Sequence, residues 1–438
     1  MRKEKIQYMT RTIQNWAGNV QFKPENYLLP EHPDEIATYI RRAAQEGKKI
    51  RTVGSAHSFS PLIETSDWLL SLDHYQGLTS VSPESRTATA KAGTKLYTLG
   101  ELLFQKGLAM ENLGDIDRQS LAGALTTGTH GSGTGFGILA TQVEALSLLD
   151  GHGNLHSCSR TQAPELFRAA LVSMGLLGVI TELKLRLEPA YRLHYTHLKG
   201  DLDETLENLE DYKRNNRNFE FYWFPHTKSV QQKLVNRTDD SPRHNGAMRW
   251  VNDVLIENAA FGALSRYARR FPGQAMRISR LCGKLISDGE RVDWSHRVFA
   301  TTRLVPFVEM EYNIPAENFV GAFREIETAI NKHRFAVHFP VECRWAKADD
   351  LLLSPANGRE SAYIAVHMYK GMPYKAYFET LEAIFKAHGG RPHWGKMNTC
   401  TAKDFQKMYP DWHQFLAIRE KMDSNGIFMN AYFGQLIG

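Results

Sequence analysis

The sequence predicts an α+β fold, and three observations carry that reading. The chain has 438 residues, enough for two or three domains and a large core. Strand-like and helix-like runs interleave without a regular βαβ period, which argues for α+β layers. Two loops rich in Gly, Ser, Thr and His lie in the first third, the first of them straight after a short strand-like run.

The elements follow in order. Pro33 and Asp34 open an amphipathic helix that runs to Gly47. Strands are expected at Arg51–Gly54, Trp68–Leu72 and Arg86–Ala92, and a helix over Leu96–Gln105 closed by Gly107. Val143–Leu149 and Leu155–Cys158 flank the turn Asp150-Gly151-His152-Gly153 and read as a β-hairpin. Pro164 begins a helix through Leu171, and Glu182–Leu187 alternates as a strand before Pro189 closes the block. A second block, from about Ala190, has strand signals at Phe219–Phe224, Val305–Tyr312 and Ala336–Glu342. It has helical signals at Phe319–His333 and Lys375–His388. The division expected is therefore 12–189 and 190–438.

Composition excludes several classes. Apolar content of 42% and charged content of 23% are ordinary for a globular protein, and a net charge of +5 does not argue for nucleic acid. Arg266, Arg269, Arg270, Arg277, Arg280 and Lys284 form the one concentrated basic run. Read as a single helix, it carries Ile278, Leu281 and Leu285 on its other side, and a solvated surface face is favoured over membrane contact. Cys158, Cys282, Cys343 and Cys400 are too widely spaced for a CxxC pair and read as free thiols in a cytoplasmic protein. Met1–Gln14 is polar, without an apolar signal core, and no run of 18 uncharged apolar residues appears. No metal set is expected.

The first loop is Val53-Gly54-Ser55-Ala56-His57-Ser58-Phe59-Ser60-Pro61. Small residues let the backbone approach a ligand, and successive N–H groups make an anion nest suited to a pyrophosphate. The second loop runs from Gly123 to Gly135 and contains Thr127, His130 and Gly131. The pair reads as one dinucleotide held from two sides. Neither loop fits the GxGxxG fingerprint or the P-loop, which disfavours nicotinamide and nucleotide triphosphate enzymes. Glu342 and Arg344 alternate on a strand and so share a face, as a surface ion pair or as a site that polarises a substrate hydroxyl. His367 reads as a structural histidine or as part of such a site, and Arg391-Pro392-His393-Trp394-Gly395-Lys396 forms a further cluster.

These segments, taken in order, resemble the vanillyl-alcohol-oxidase (PCMH/VAO) type of FAD flavoproteins, in particular the sugar-1,4-lactone oxidase branch. Further matches are Asn15-Trp16-Ala17-Gly18-Asn19, Asn112-Leu113-Gly114-Asp115, Gly137–Val143 and Gly175–Thr181. In the second half come Phe219–Thr227, Val308-Glu309-Met310-Glu311-Tyr312, Cys400-Thr401, Met408-Tyr409-Pro410 and Gly426–Asn430. The resemblance implies a two-domain fold: an FAD-binding domain and an α+β cap whose tail, from about residue 390, returns to the flavin.

It also implies roles. The FAD pyrophosphate lies between Gly54, Ser55, Ala56, Ser58 and the second loop with Ser120, Gly123, Thr127, His130 and Gly131. Val179 and Ile180 meet the adenine end. His57 matches the histidine bonded to the flavin 8α-methyl in many members, although Ala56 stands where Gly is usual. Glu342 and Arg344 match the substrate pair, and His367, Tyr369 and His393 match neighbouring site positions. The base is Glu342 or His367. Lys396 matches the lysine near flavin N1, whose fixed charge favours the reduced cofactor. Gly114 matches a position that governs oxygen access, where a dehydrogenase branch has Ala. Asp115 separates the lactone type from alditol oxidases, which resemble a Ser there. The reaction implied is oxidation of a sugar lactone by hydride transfer to flavin N5, with oxygen as acceptor. Polyol oxidation, another acceptor or flavin binding without catalysis are the alternatives.

Overall fold

The computed structural model describes residues 11–242, 257–300 and 303–437. Residues 1–10 of the polar amino-terminal stretch lie outside the described residues. The first half builds two larger sheets and two short two-stranded ones. Asn26–Leu28, Trp68–Ser71 and Ile50–Val53 form a parallel three-stranded sheet with Trp68–Ser71 in the middle. The helix Pro33–Glu46 ends on Gly47, whose φ of 65° is the left-handed cap that a residue without Cβ adopts freely. A five-stranded antiparallel sheet follows, ordered Leu155–Ser159, Val143–Leu149, Val179–Arg186, Thr87–Lys91, Leu78–Ser82. Its hairpin turns where expected: Asp150 accepts from the N–H groups of His152 (2.8 Å) and Asn154 (2.9 Å).

The second half builds one eight-stranded antiparallel sheet. The order is Gly289–Trp294, Arg192–Asp201, Ser229–Thr238, Asn218–Trp223, Val341–Ala346, Ser361–Tyr369, Phe307–Pro315, Arg391–Pro392. Three of its central strands alternate strictly. Phe219, Phe221, Trp223, Val341, Cys343, Trp345, Val308, Met310 and Tyr312 are buried, and Phe319 and Phe323 of the helix Phe319–His333 pack against Phe221. The other face carries Glu220, Tyr222, Glu342, Arg344, Glu309 and Glu311, and these are buried too. A sheet with one apolar and one charged buried face encloses a polar cavity.

Two expected elements differ most. The strand placed at Ala336–Glu342 is Val341–Ala346. Pro340 has no N–H to give to a ladder, so pairing starts just after it. The basic run is two helices, Glu257–Arg270 and Ala275–Leu285, separated at Pro272-Gly273. Ile278 faces the core, but Leu281 and Leu285 are exposed. Among the described residues no helix is long and apolar enough to cross a membrane.

The carboxy-terminal segment folds back over the first half. Gly395 accepts from the Phe59 N–H (2.7 Å) and Ile427 from the Ile50 N–H (2.8 Å).

Candidate active site

The first glycine loop leaves the strand Ile50–Val53 and is fixed from outside. Asn15 Nδ2 donates to the Ser58 carbonyl (2.9 Å), Asn19 Nδ2 to the Phe59 carbonyl (2.8 Å), and the Trp16 N–H to the Ala56 carbonyl (2.9 Å). The second loop opens on the short helix Leu121–Thr126. The loops approach so closely that a Cβ on Gly54 would lie 2.1 Å from Ser120 Oγ, and one on Gly123 2.8 Å from it. An elongated cavity runs between them, lined by Gly54, Ser55, Ala56, His57, Ser58, Ser120, Gly123, Thr127, Val179 and Ile180. Backbone N–H groups and small side chains of the two loops form much of its wall, the kind of donors a diphosphate requires, and Arg51, Leu72 and Met174 line it as well. Gly131 lies apart from it, against a small void beside Glu220, Lys233 and Arg344.

Ala56 occupies the left-handed region with φ of 51°. An L-residue pays about 1 kcal/mol there and Gly does not. Ala56→Gly is therefore expected to stabilise the chain by about 1 kcal/mol, seen as a higher urea midpoint. A lower midpoint contradicts the strain.

A second cavity of about 420 Å³ opens from the first, sharing His57, Ser58, Gln119 and Thr127 with it. Gly114, Asp115, His130, Glu342, Arg344, His393 and Lys396 line it, as do Arg303, Glu309 and Glu311. The cap sheet supplies the floor through register: Tyr222 pairs with Glu342, Glu342 with Ala365, and Ala365 with Glu311.

The charges there are balanced within buried clusters. Asp115 Oδ2 lies 2.8 Å from Arg303, 3.0 Å from Arg344 and 3.5 Å from Lys233. Burial raises the Asp115 carboxyl, but Lys233, Arg344 and Arg303 outweigh it and hold the group far below the usual range. Glu342 touches Arg344, accepts from the Tyr222 hydroxyl (2.6 Å) and lies 3.5 Å from Arg303. Burial raises it as well, yet Arg344 and Arg303 keep it below the ordinary value, so it is a carboxylate at neutral pH. Arg344 Nε donates to Glu220 (2.9 Å), and Lys233 to the other oxygen of the same carboxylate (2.8 Å). Lys396 Nζ bonds Glu309 at 2.5 Å, and His130 Nε2 lies 3.1 Å from Glu311.

His367 stands one step back. It is 2% exposed and does not line the cavity. Its Nδ1 donates to the Pro340 carbonyl (3.0 Å). Its Nε2 lies 3.5 Å from Glu309 and 4.0 Å from Glu342. Tyr369 is not brought to the cavity; it stacks on Phe339 with ring centroids 6.3 Å apart. Position 369 alternates correctly with 367, but its register partner Phe307 lines the cavity while Tyr369 itself packs on Phe339. Arg303, Glu309, Glu311, Glu220, Tyr222 and Lys233 belong to the site and were not singled out from the sequence. The signal was present in the alternation of Phe219–Trp223 and Val308–Tyr312, the same pattern that exposed Glu342 and Arg344. Nothing comparable marks Arg303.

Burial lowers His57 to about 4, aided by the charges of Lys396, Lys95 and Arg118, and lowers His338 to about 4 and His393 to about 3. A histidine with a folded value below its unfolded one gains protons on unfolding. Its stabilisation is complete above about 6.5 and is lost as pH falls toward the folded values. Asp349, raised to about 6 by burial, works the other way as a single group. The thermal midpoint should fall steadily as pH is lowered from about 7 to about 4. A midpoint that rises over this window contradicts the neutral histidines.

Glycine loops around one cavity, joined to a polar cavity floored by an antiparallel sheet, fit an FAD flavoprotein of the PCMH/VAO type. A model described as FAD binding domain matches residues 24–159, and one described as D-arabinono-1,4-lactone oxidase matches residues 183–436. The chain belongs to the D-arabinono-1,4-lactone oxidase family. It is similar to an L-gulono-1,4-lactone dehydrogenase of Mycobacterium tuberculosis, 35% identical over 97% of this chain and 98% of the relative. It is 35% identical to the L-gulonolactone oxidase of Bos taurus, over 96% of this chain and 97% of that one. Cholesterol oxidase from Brevibacterium sterolicum shares the fold, with a TM-score of 0.80 at 19% identity over 98% of this chain and 97% of that one.

Proposed function

We propose that this protein oxidises a sugar 1,4-lactone at a carbinol carbon, with residues 12–189 holding FAD, residues 190–438 holding the substrate, and oxygen accepting the electrons as hydrogen peroxide. The observation that carries the reading is the Glu342–Arg344 pair at the floor of a cavity continuous with the glycine-loop cavity. Bound FAD supplies the hydride acceptor. The chain supplies the rest. Arg303 and Arg344 hold lactone oxygens. Glu342, ionised and facing the cavity, accepts the hydrogen bond of the reacting hydroxyl and takes its proton, with His367 Nε2 4.0 Å behind it to hold the carboxylate in place. Asp115 sets the two guanidinium groups. Asp115 stands where alditol oxidases resemble a Ser, which supports the lactone over a polyol. Lys396, paired with Glu309, places a positive charge beside the cofactor end of the cavity.

His57 is the residue for covalent attachment to the flavin 8α-methyl. Its value of about 4 keeps the imidazole a neutral nucleophile, and Trp16 stacks on it with ring centroids 6.3 Å apart. Gly114, which lines the cavity, supports oxygen as acceptor through its resemblance to the oxidase type at that position. Relatives carry both dehydrogenase and oxidase names. Four free cysteines suit a cytoplasmic setting.

The test is oxygen uptake with aldonolactones, together with acid precipitation of the yellow protein. Lactone-dependent peroxide and a pellet that keeps its flavin support the reading. No uptake with any lactone contradicts the activity, and a colourless pellet contradicts the covalent bond.

A further inference from the structure

Arg51 lies on the strand Ile50–Val53 and is 2% exposed. All of its hydrogen-bond partners are backbone carbonyls: Nε donates to Leu62 (2.8 Å), Nη2 to Met174 (2.7 Å) and Nη1 to Phe428. Its guanidinium also lies 5.0 Å over the Phe433 ring. Among the described residues no carboxylate lies within ion-pair distance. Asp423, whose charge reaches it, gives its oxygens to the N–H groups of Ile427 (2.7 Å) and Phe428 (2.8 Å). Burial lowers Arg51 to about 9, the mark of a desolvated cation that lacks a partner.

A buried charge without a counter-ion is costly, and proteins rarely keep one without a function. Three of five guanidinium N–H groups are spent on carbonyls, which leaves two. Arg51 also lines the glycine-loop cavity, with Met174 and Gly175 beside it. The carbonyls it holds come from three separate places: the first loop's exit, the turn before the strand Val179–Arg186, and the carboxy-terminal tail. The tail is otherwise tied on by Asn430 Nδ2, which donates to Pro61 (3.0 Å), and by Lys49 Nζ, which donates to Gly426 (2.7 Å).

We infer that Arg51 is the internal counter-ion of the FAD diphosphate and couples loading of the cofactor to docking of the tail, residues 423–437. The diphosphate supplies the negative charge that Arg51 lacks, and the charged guanidinium then holds the Phe428 carbonyl and the Phe433 ring more firmly. Arg51 is a positioning residue, remote from the reacting hydroxyl. This rests on the placement of FAD in the glycine-loop cavity.

The experiment uses the full-length chain made flavin-free under riboflavin limitation, with ADP and adenosine as probes. In the wild type, ADP raises the thermal midpoint more than adenosine does and slows amide exchange across 423–437. Arg51→Met loses both ADP effects and binds ADP about tenfold or more weakly, while adenosine binds as before. Arg51→Lys keeps the charge and keeps most of the ADP rise, which guards against a methionine variant that fails to fold. An Arg51→Met chain that keeps the full ADP rise overturns the inference, as does an Arg51→Lys chain that loses it. A wild type that answers to neither probe overturns the cavity assignment itself.

Discussion

Glu342→Gln is expected to lower the anaerobic rate of flavin reduction by a sugar lactone by about 10²–10⁴-fold, with the bound flavin spectrum unchanged. Glutamine keeps the shape of the side chain and can still accept from the Tyr222 hydroxyl. It cannot take the charge that Arg303 and Arg344 are arranged around, nor draw the proton of the reacting hydroxyl. The two guanidinium groups retain Asp115, and Arg344 retains Glu220, so the cluster is weakened and the fold is kept. Stopped-flow reduction under nitrogen reads the effect without interference from reoxidation. A rate within about tenfold of wild type removes Glu342 from the chemistry and leaves His367 to act alone.

Gly114→Ala is expected to split the two half-reactions. A Cβ at Gly114 would lie 2.8 Å from the His130 carbonyl oxygen and 3.6 Å from Thr129 Cγ2. Backbone atoms do not yield as a flexible side chain does, so the methyl is pushed toward the cavity or the loop shifts. Crowding that hinders the approach of oxygen is expected to raise that step's barrier by about 1.4–2.8 kcal/mol, which slows it about ten- to hundredfold. The slowed step should be reoxidation by oxygen. Reduction by the lactone, and turnover with an artificial dye, should change less than about threefold. Equal losses in both half-reactions contradict a role in oxygen access and point instead to displacement of Asp115, the next residue.

Much of the fold was legible because its punctuation is strong. Pro33 with Gly47, Pro164 and the Asp150–Gly153 turn fixed element ends by local chemistry that tertiary context did not override. The break at Pro272-Gly273 was equally visible in the chain but was subordinated to a pattern of cations. The strand at Ala336–Glu342 was misplaced because apolar content extends across Pro340, and only the missing N–H decides where pairing begins.

The site was legible by halves. Residues on the glycine loops and the alternating pair Glu342/Arg344 declare themselves by spacing. Glu309, Glu220 and Lys233 alternate just as clearly, but their importance depends on which strands become neighbours, and register is not written in any one strand. Arg303 enters from a connecting segment with no periodicity at all. Tyr369 shows the opposite error, since correct alternation cannot tell which neighbours will pack over a side chain. Arg51 had no sequence signal beyond its position before the loop. What marks it is a buried cation with only carbonyl partners.

The most direct measurement is anaerobic bleaching of the purified yellow protein by a panel of aldonolactones and alditols. Bleaching reports hydride transfer whatever the acceptor is. Fast bleaching by a 1,4-lactone, with colour restored on admitting air, is the predicted result. Bleaching by alditols alone, or by neither class, contradicts the lactone oxidase reading.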